Sequence, residues 1–192
     1  MKKAPVRYFE LAEDMTVPGR WGLGTPTDPL GRELDDPWAF TDGRSLPDPG
    51  VLRVPVPTSG LSLDFSRAGF CIPVVHVRVA TVFAELAPTD VQLFPVMIQG
   101  QADQFCILVA TQLVRCIDDK ASKFVAHWTP ADGQPEKVGE YRNVRGLRIG
   151  TGKVGDARVF RSWGWNVALL VSEDIRDALV RLGTTGAKFK EV

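Results

Sequence analysis

Histidine and cysteine are scarce in this sequence, and their scarcity removes several kinds of chemistry at once. His76 and His127 are the only imidazoles available for acid–base work or metal ligation. Cys71, Cys106 and Cys116 cannot all pair within the chain, and none stands in a CxxC spacing that suits zinc or dithiol chemistry, so buried free thiols are expected. No apolar run approaches the ~20 residues of a bilayer span; the best, Trp165 to Val171, is of strand length. Net charge is missing too, because 23 Lys and Arg balance 23 Asp and Glu, so no global field draws the chain to nucleic acid or anionic lipid. After Lys2 and Lys3, the charged Arg7, Glu10, Glu13 and Asp14 leave no room for the apolar segment of a signal peptide. A cytoplasmic protein with no membrane partner is expected.

What is present is a globular composition, 44% apolar and 24% charged, with 192 residues to build one core. A single domain over 1–192 is expected, in which 1–50 is a strand (Val6 to Leu11) followed by a loop-rich arm. Pro18, Pro26, Pro29, Pro37, Pro47 and Pro49 deny that arm regular structure. Trp21, Leu23, Leu34, Trp38 and Phe40 punctuate it, and side chains of that size predict an ordered loop lying on the body.

Beyond the arm, extended pieces are expected at Val51 to Val56 and Leu61 to Phe65. The spacing of Val79, Val82, Phe83 and Leu86 predicts a helix over about 76–87, stopped by Pro88. Val91 to Ile98 and Phe105 to Val114 read as a hairpin in mid-sheet. Phe124 to Trp128, Leu147 to Ile149, Ala157 to Phe160 and Trp165 to Val171 read as further strands. A second helix is predicted over about 173–182, with Ser172 as N-cap, Glu173 and Asp174 in its first turn and Gly183 as its stop. A last short strand is expected in Ala187 to Val192. The fold class is therefore α+β, a mainly antiparallel sheet packed with two principal helices.

Chemistry-bearing motifs are few. Gly150-Thr151-Gly152-Lys153-Val154-Gly155 satisfies the GxGxxG spacing, but a dinucleotide site needs a helix beginning in that loop, and Val159, Phe160, Trp163 and Trp165 favour strand and turn. Ile72, Pro73, Val74 and Val75 between Cys71 and His76 suggest a buried run with no metal site. His127, between Ala126 and Trp128, reads as a core or interface histidine. The pairs Asp35-Asp36, Asp118-Asp119 and Glu173-Asp174 read as turn and helix-start residues before anything catalytic. No catalytic, metal or cofactor residue is assigned, and no cofactor is implied.

Charge is unevenly spread. Residues 10–48 hold nine acids against three bases, a net −6, whereas residues 137–162 hold seven bases against two acids, a net +5. Either the two segments meet and neutralise each other, or the acidic arm, with Asp35, Asp36 and Trp38, offers steering charge and an aromatic anchor to a basic partner. Asp118 and Asp119 join those three as candidate partner contacts. A nucleic-acid-binding module is the alternative, using Arg142, Arg145, Arg148, Lys153 and Arg158 with Tyr141 for stacking.

Gly19-Arg20-Trp21 followed by Gly31-Arg32-Glu33-Leu34, then Leu86-Ala87-Pro88, Asp90 to Val96, and Cys116-Ile117-Asp118 with Ser122 and Trp128, form an ordered series over most of the chain. It continues in Asp156 to Arg161, Val171 to Ile175, and Thr185-Gly186 before Lys188-Phe189. In this series the chain resembles immunity protein family eleven of bacterial polymorphic-toxin systems. The resemblance implies a cytoplasmic protein that binds a cognate toxin, a nuclease being one candidate, and blocks it without catalysis. It leaves homo-oligomerisation open, along with a regulatory or scaffold role on the same fold.

Overall fold

The computed structural model describes residues 6–192, so Lys2 and Lys3 lie outside the described residues. In chain order the elements are β1 (Tyr8–Glu13), β2 (Leu52–Val54), β3 (Phe65–Ala68), β4 (Ile72–His76), α1 (Val77–Leu86), β5 (Val91–Ile98), β6 (Phe105–Ala110), β7 (Leu113–Val114), β8 (Phe124–His127), β9 (Tyr141–Arg145), β10 (Val159–Ser162), β11 (Trp165–Ser172), α2 (Glu173–Arg181) and β12 (Ala187–Glu191). The strands form one sheet in the order β12-β1-β11-β10-β7, a second in the order β2-β5-β6-β4-β3, and the separate hairpin β8-β9. Pairing is antiparallel except for β2 with β5 and β7 with β10. The fold is α+β and mainly sheet.

Side-chain alternation builds three apolar layers from the two large sheets. Phe9, Leu11, Val159, Leu169 and Val171 point from the first sheet, and Phe65, Val75, Leu108 and Ala110 from the second, into a shared core closed by Val79 and Phe83 of α1 and Ile175 and Leu179 of α2. The intervening residues face outward. Val74, Ile107 and Val109 pack under the N-terminal arm with Trp21 and Phe40. On the far face of the first sheet, Tyr8, Phe160 and Leu170 pack under residues 116–154, including Cys116, Leu147 and Val154. Each fully buried aromatic or large aliphatic side chain contributes roughly 1.5–3 kcal/mol of transfer free energy.

The arm is held by pairing as well as packing. Trp21 is buried with its indole N–H donating to Ser66 Oγ at 2.7 Å. The backbones of Thr27 and Arg53 exchange two hydrogen bonds of 2.8 and 2.9 Å. The Gln92 amide clamps the Leu46 backbone from both sides, at 2.7 and 2.9 Å.

Both helices form where the apolar spacing places them. His76 caps α1 through Nδ1, which accepts from the Arg78 N–H at 3.2 Å. Ser172 precedes α2, but its hydroxyl donates to Asp174 instead of accepting from a backbone N–H. Gly183 ends the helix at φ +69°, a left-handed conformation that costs glycine little.

Several expectations are corrected. The predicted strand from Phe105 to Val114 is split, because the chain leaves the second sheet after Ala110 and Leu113–Val114 joins the first, parallel to β10. Apolar continuity marks burial but not which sheet receives the residues. The first strand runs over Tyr8–Glu13 instead of Val6 to Leu11. Leu61 and Ile149 enter only isolated bridges, with Arg20 and Ile117, while β4 and β9 are strands where none was predicted. Of the three thiols only Cys116 is buried; Cys71 is exposed.

Candidate functional site

The acidic arm presents an aromatic knob. Asp36 accepts from the Trp38 N–H at 3.1 Å and starts a short 3-10 turn over Pro37–Thr41, closed by the Thr41 hydroxyl donating to the Trp38 carbonyl at 2.9 Å. Proline at the first position supplies the fixed φ that the turn needs. The turn buries Phe40 and turns Trp38 outward, 53% exposed. There Trp38 meets Phe70 edge to face, with ring centroids 4.9 Å apart and planes at 79°.

Phe70 sits on a strained turn. Phe70 and Cys71 take φ of 59° and 58°, consecutive left-handed residues that are not glycine. Such a conformation costs on the order of 1–3 kcal/mol per residue and persists only where the surroundings enforce it. The preceding Gly69 lies so close to Thr25 that an added Cβ would sit 2.3 Å from its Oγ1. Phe70 remains 38% exposed, so the strain buries no large apolar side chain. Asp35 and Asp36 stand exposed beside the knob without an ion pair among the described residues. Asp42 closes the turn, its carboxyl pushed upward by burial and by the nearby Asp36 charge.

Asp118 and Asp119 lie in a different place. Asp118 accepts from the Lys120 and Ala121 N–H groups, both at 3.0 Å, which makes it a turn residue. Asp119 accepts from the Tyr141 hydroxyl at 2.6 Å and stands 3.6 Å from His127 Nε2, while the His127 and Tyr141 rings lie 4.5 Å apart. Burial and the Asp119 hydrogen bond push the Tyr141 pKa upward, so the phenol stays protonated as a donor. These groups line an open cleft of about 490 Å³ with Arg115, Lys153 and Trp163. Arg115 lies over Trp163, its guanidinium carbon 3.3 Å from the ring centre.

The five predicted contacts thus divide into two sites. No hydrogen bond, ion pair, ring contact or shared cavity among the described residues joins Asp35, Asp36 and Trp38 to Asp118 and Asp119. Nor do the charged segments neutralise each other by ion pairs. Arg20 pairs with Glu13 and Arg32 with Asp28 inside the arm, while Arg142 pairs with Asp132 and Arg158 with Asp174. Sequence reasoning missed Phe70, whose one signal is an aromatic beside Gly69 outside any apolar alternation, and it missed Arg115 and Trp163 altogether.

The glycine run is not followed by the helix that a dinucleotide site needs. Thr151–Lys153 is a single 3-10 turn and the next regular element is β10, so no helix N-terminus faces the loop. Among the described residues no cluster of three or more His, Cys, Asp or Glu could hold a metal ion, and no helix is long and apolar enough to cross a membrane. No protein-family model and no curated protein matches the chain.

Proposed function

We propose that this chain is a cytoplasmic, non-catalytic inhibitor of the immunity type, which binds a cognate protein toxin through the Trp38–Phe70 knob and blocks it by occlusion. The observation that carries this reading is the half-exposed aromatic pair, held out by two strained residues in a loop of net negative charge. Interface energy concentrates in aromatic anchors, and a surrounding acidic rim selects and steers a basic partner. A basic nuclease surface fits that chemistry, and the resemblance to immunity proteins points the same way.

The test is co-purification of the chain with the product of each neighbouring gene, scored for a stable complex and for rescue of growth when the neighbour is toxic. Trp38→Ala and Phe70→Ala are expected to weaken that complex by about 2 kcal/mol or more each, roughly thirty-fold. The fold should survive Trp38→Ala, because that side chain is half exposed. A complex and rescue untouched by both substitutions would remove the knob from the interface, and no complex with any neighbour would remove the toxin reading.

A second reading has its own observation. Lys137 and Arg142 lie over Trp128 at 5.3 and 5.5 Å, and Arg145 over Phe124 at 4.5 Å, so the β8-β9 hairpin shows the cation and aromatic mixture of a single-strand nucleic-acid platform. Salt-sensitive retention on single-stranded DNA, lost in Arg142→Ala, is its signature.

A further inference from the structure

The cleft between residues 115–120 and the β8-β9 hairpin carries three cations against two carboxylates, a net +1. Its two carboxylates are engaged: Asp118 by backbone N–H groups and Asp119 by the Tyr141 hydroxyl and His127. Arg115, Lys120 and Lys153 line the same cavity, and none forms an ion pair or side-chain hydrogen bond among the described residues. The Arg115 guanidinium carbon lies over the Trp163 ring, a contact that restrains the side chain, and a guanidinium fork suits bidentate binding of an oxyanion.

We infer that this cleft binds a phosphate group, held by the Arg115 fork with Lys120 and Lys153. Both carboxylates are taken up by protein donors, which leaves the three cations to meet an anion, and a guanidinium fork matches two oxygens of a phosphate. The volume of about 490 Å³ exceeds what inorganic phosphate needs and lies in the range of small-ligand sites, so a mononucleotide also fits. Asp119 acts as a positioning residue, since it orients Tyr141 and His127 along the wall. This site is separate from the Trp38–Phe70 knob and stands or falls without it.

Titration calorimetry on the full chain tests it, with inorganic phosphate and with adenosine and guanosine monophosphates, each against sodium chloride at matched ionic strength. Saturable binding is expected, weakened at least tenfold by Arg115→Ala and by Lys153→Met, and partly retained in Arg115→Lys. Lys190→Ala, an exposed β12 side chain outside the cleft, should leave it unchanged. Nucleotide binding tenfold tighter than phosphate identifies a nucleotide as the ligand, and equal binding identifies the phosphate group alone. Heats no different from chloride, or binding that survives both Arg115→Ala and Lys153→Met, overturn the inference.

Discussion

Arg161→Met should stabilise this protein, although it deletes a buried, hydrogen-bonded arginine. Arg161 sits on β10 on the same side as Val159, facing the layer between the sheets, and is only 1% exposed. Its Nη1 donates to the carbonyls of Asn166 and Val167 at 3.1 and 3.2 Å, but Nε and Nη2 are buried without a partner. No carboxylate lies within ion-pair distance among the described residues, and the nearby Arg67 adds repulsion. Burial, with that repulsion, pushes the pKa down from 12.5 to about 9. That shift corresponds to a penalty on the order of 4–5 kcal/mol on the charged form. Methionine removes the penalty and fills similar volume. It gives up two hydrogen bonds worth about 1 kcal/mol each and leaves two carbonyls short of a donor. The balance is a gain of about 1–3 kcal/mol, in line with other replacements of buried charge by apolar side chains.

Urea unfolding at pH 7 measures the balance, and a thermal midpoint should rise by roughly 2–4 °C for each kcal/mol at this chain length. The folded pKa lies below the unfolded one, so the native state loses its proton first and the wild type gains stability as pH rises above about 9. The difference between wild type and Arg161→Met should therefore narrow there. Arg161→Lys keeps a buried charge without the fork and should be destabilised. A loss of more than about 1 kcal/mol in Arg161→Met, with Arg161→Lys neutral, would refute the reasoning and mean that the guanidinium is satisfied by a partner.

Burial alone would raise the Asp64 carboxyl, but hydrogen bonds from Arg78, the Thr185 hydroxyl and the Thr185 N–H together hold it at about 2. Its contribution is fully present above about 3.8 and is lost as pH falls through about 2, so Asp64→Asn should cost about 1–2 kcal/mol at pH 7, after allowance for screening, and much less at pH 2; an equal cost at both pH values contradicts this. Gly186→Ala should cost about 2–4 kcal/mol in urea unfolding, because Gly186 has φ +79° and an added Cβ would meet the Phe65 carbonyl at 2.3 Å; a neutral result would show that this turn moves freely. Ellman's reagent should modify Cys71 quickly and Cys116 only on unfolding, since Cys71 is exposed while burial pushes the Cys116 thiol up to about 11; early loss of Cys116 would place it at the surface.

Elements governed by neighbours in sequence were the legible part. Val79, Val82, Phe83 and Leu86 mark α1 within a residue of its observed ends, because a helix repeats every 3.6 residues and its buried stripe is visible in the spacing. The turn role of Asp36 follows from a side chain that reaches only the local backbone, and α2 starts at Glu173 with acids in its first turn, although Ser172 makes no backbone cap. Failures fall where a residue's role depends on a distant segment. Cys71 looked buried from the apolar run after it, yet a strained turn lifts it out. His127 sits in an apolar run, yet it faces the cleft because Tyr141 and Asp119 arrive from elsewhere.

The sequence by itself determined the α+β class, the two helices, the ordered arm and the absence of a helix after the glycine run, all of them consequences of spacing and backbone preference. Tertiary structure alone decided that Leu113–Val114 changes sheets, that Arg161 is sealed between layers, and that Phe70 meets Trp38 across 31 intervening positions of chain that nothing local connects. The physical reason is that periodicity records which face of an element avoids water. Which other face it meets depends on the summed packing of both sheets, and that sum is written in no single stretch of chain.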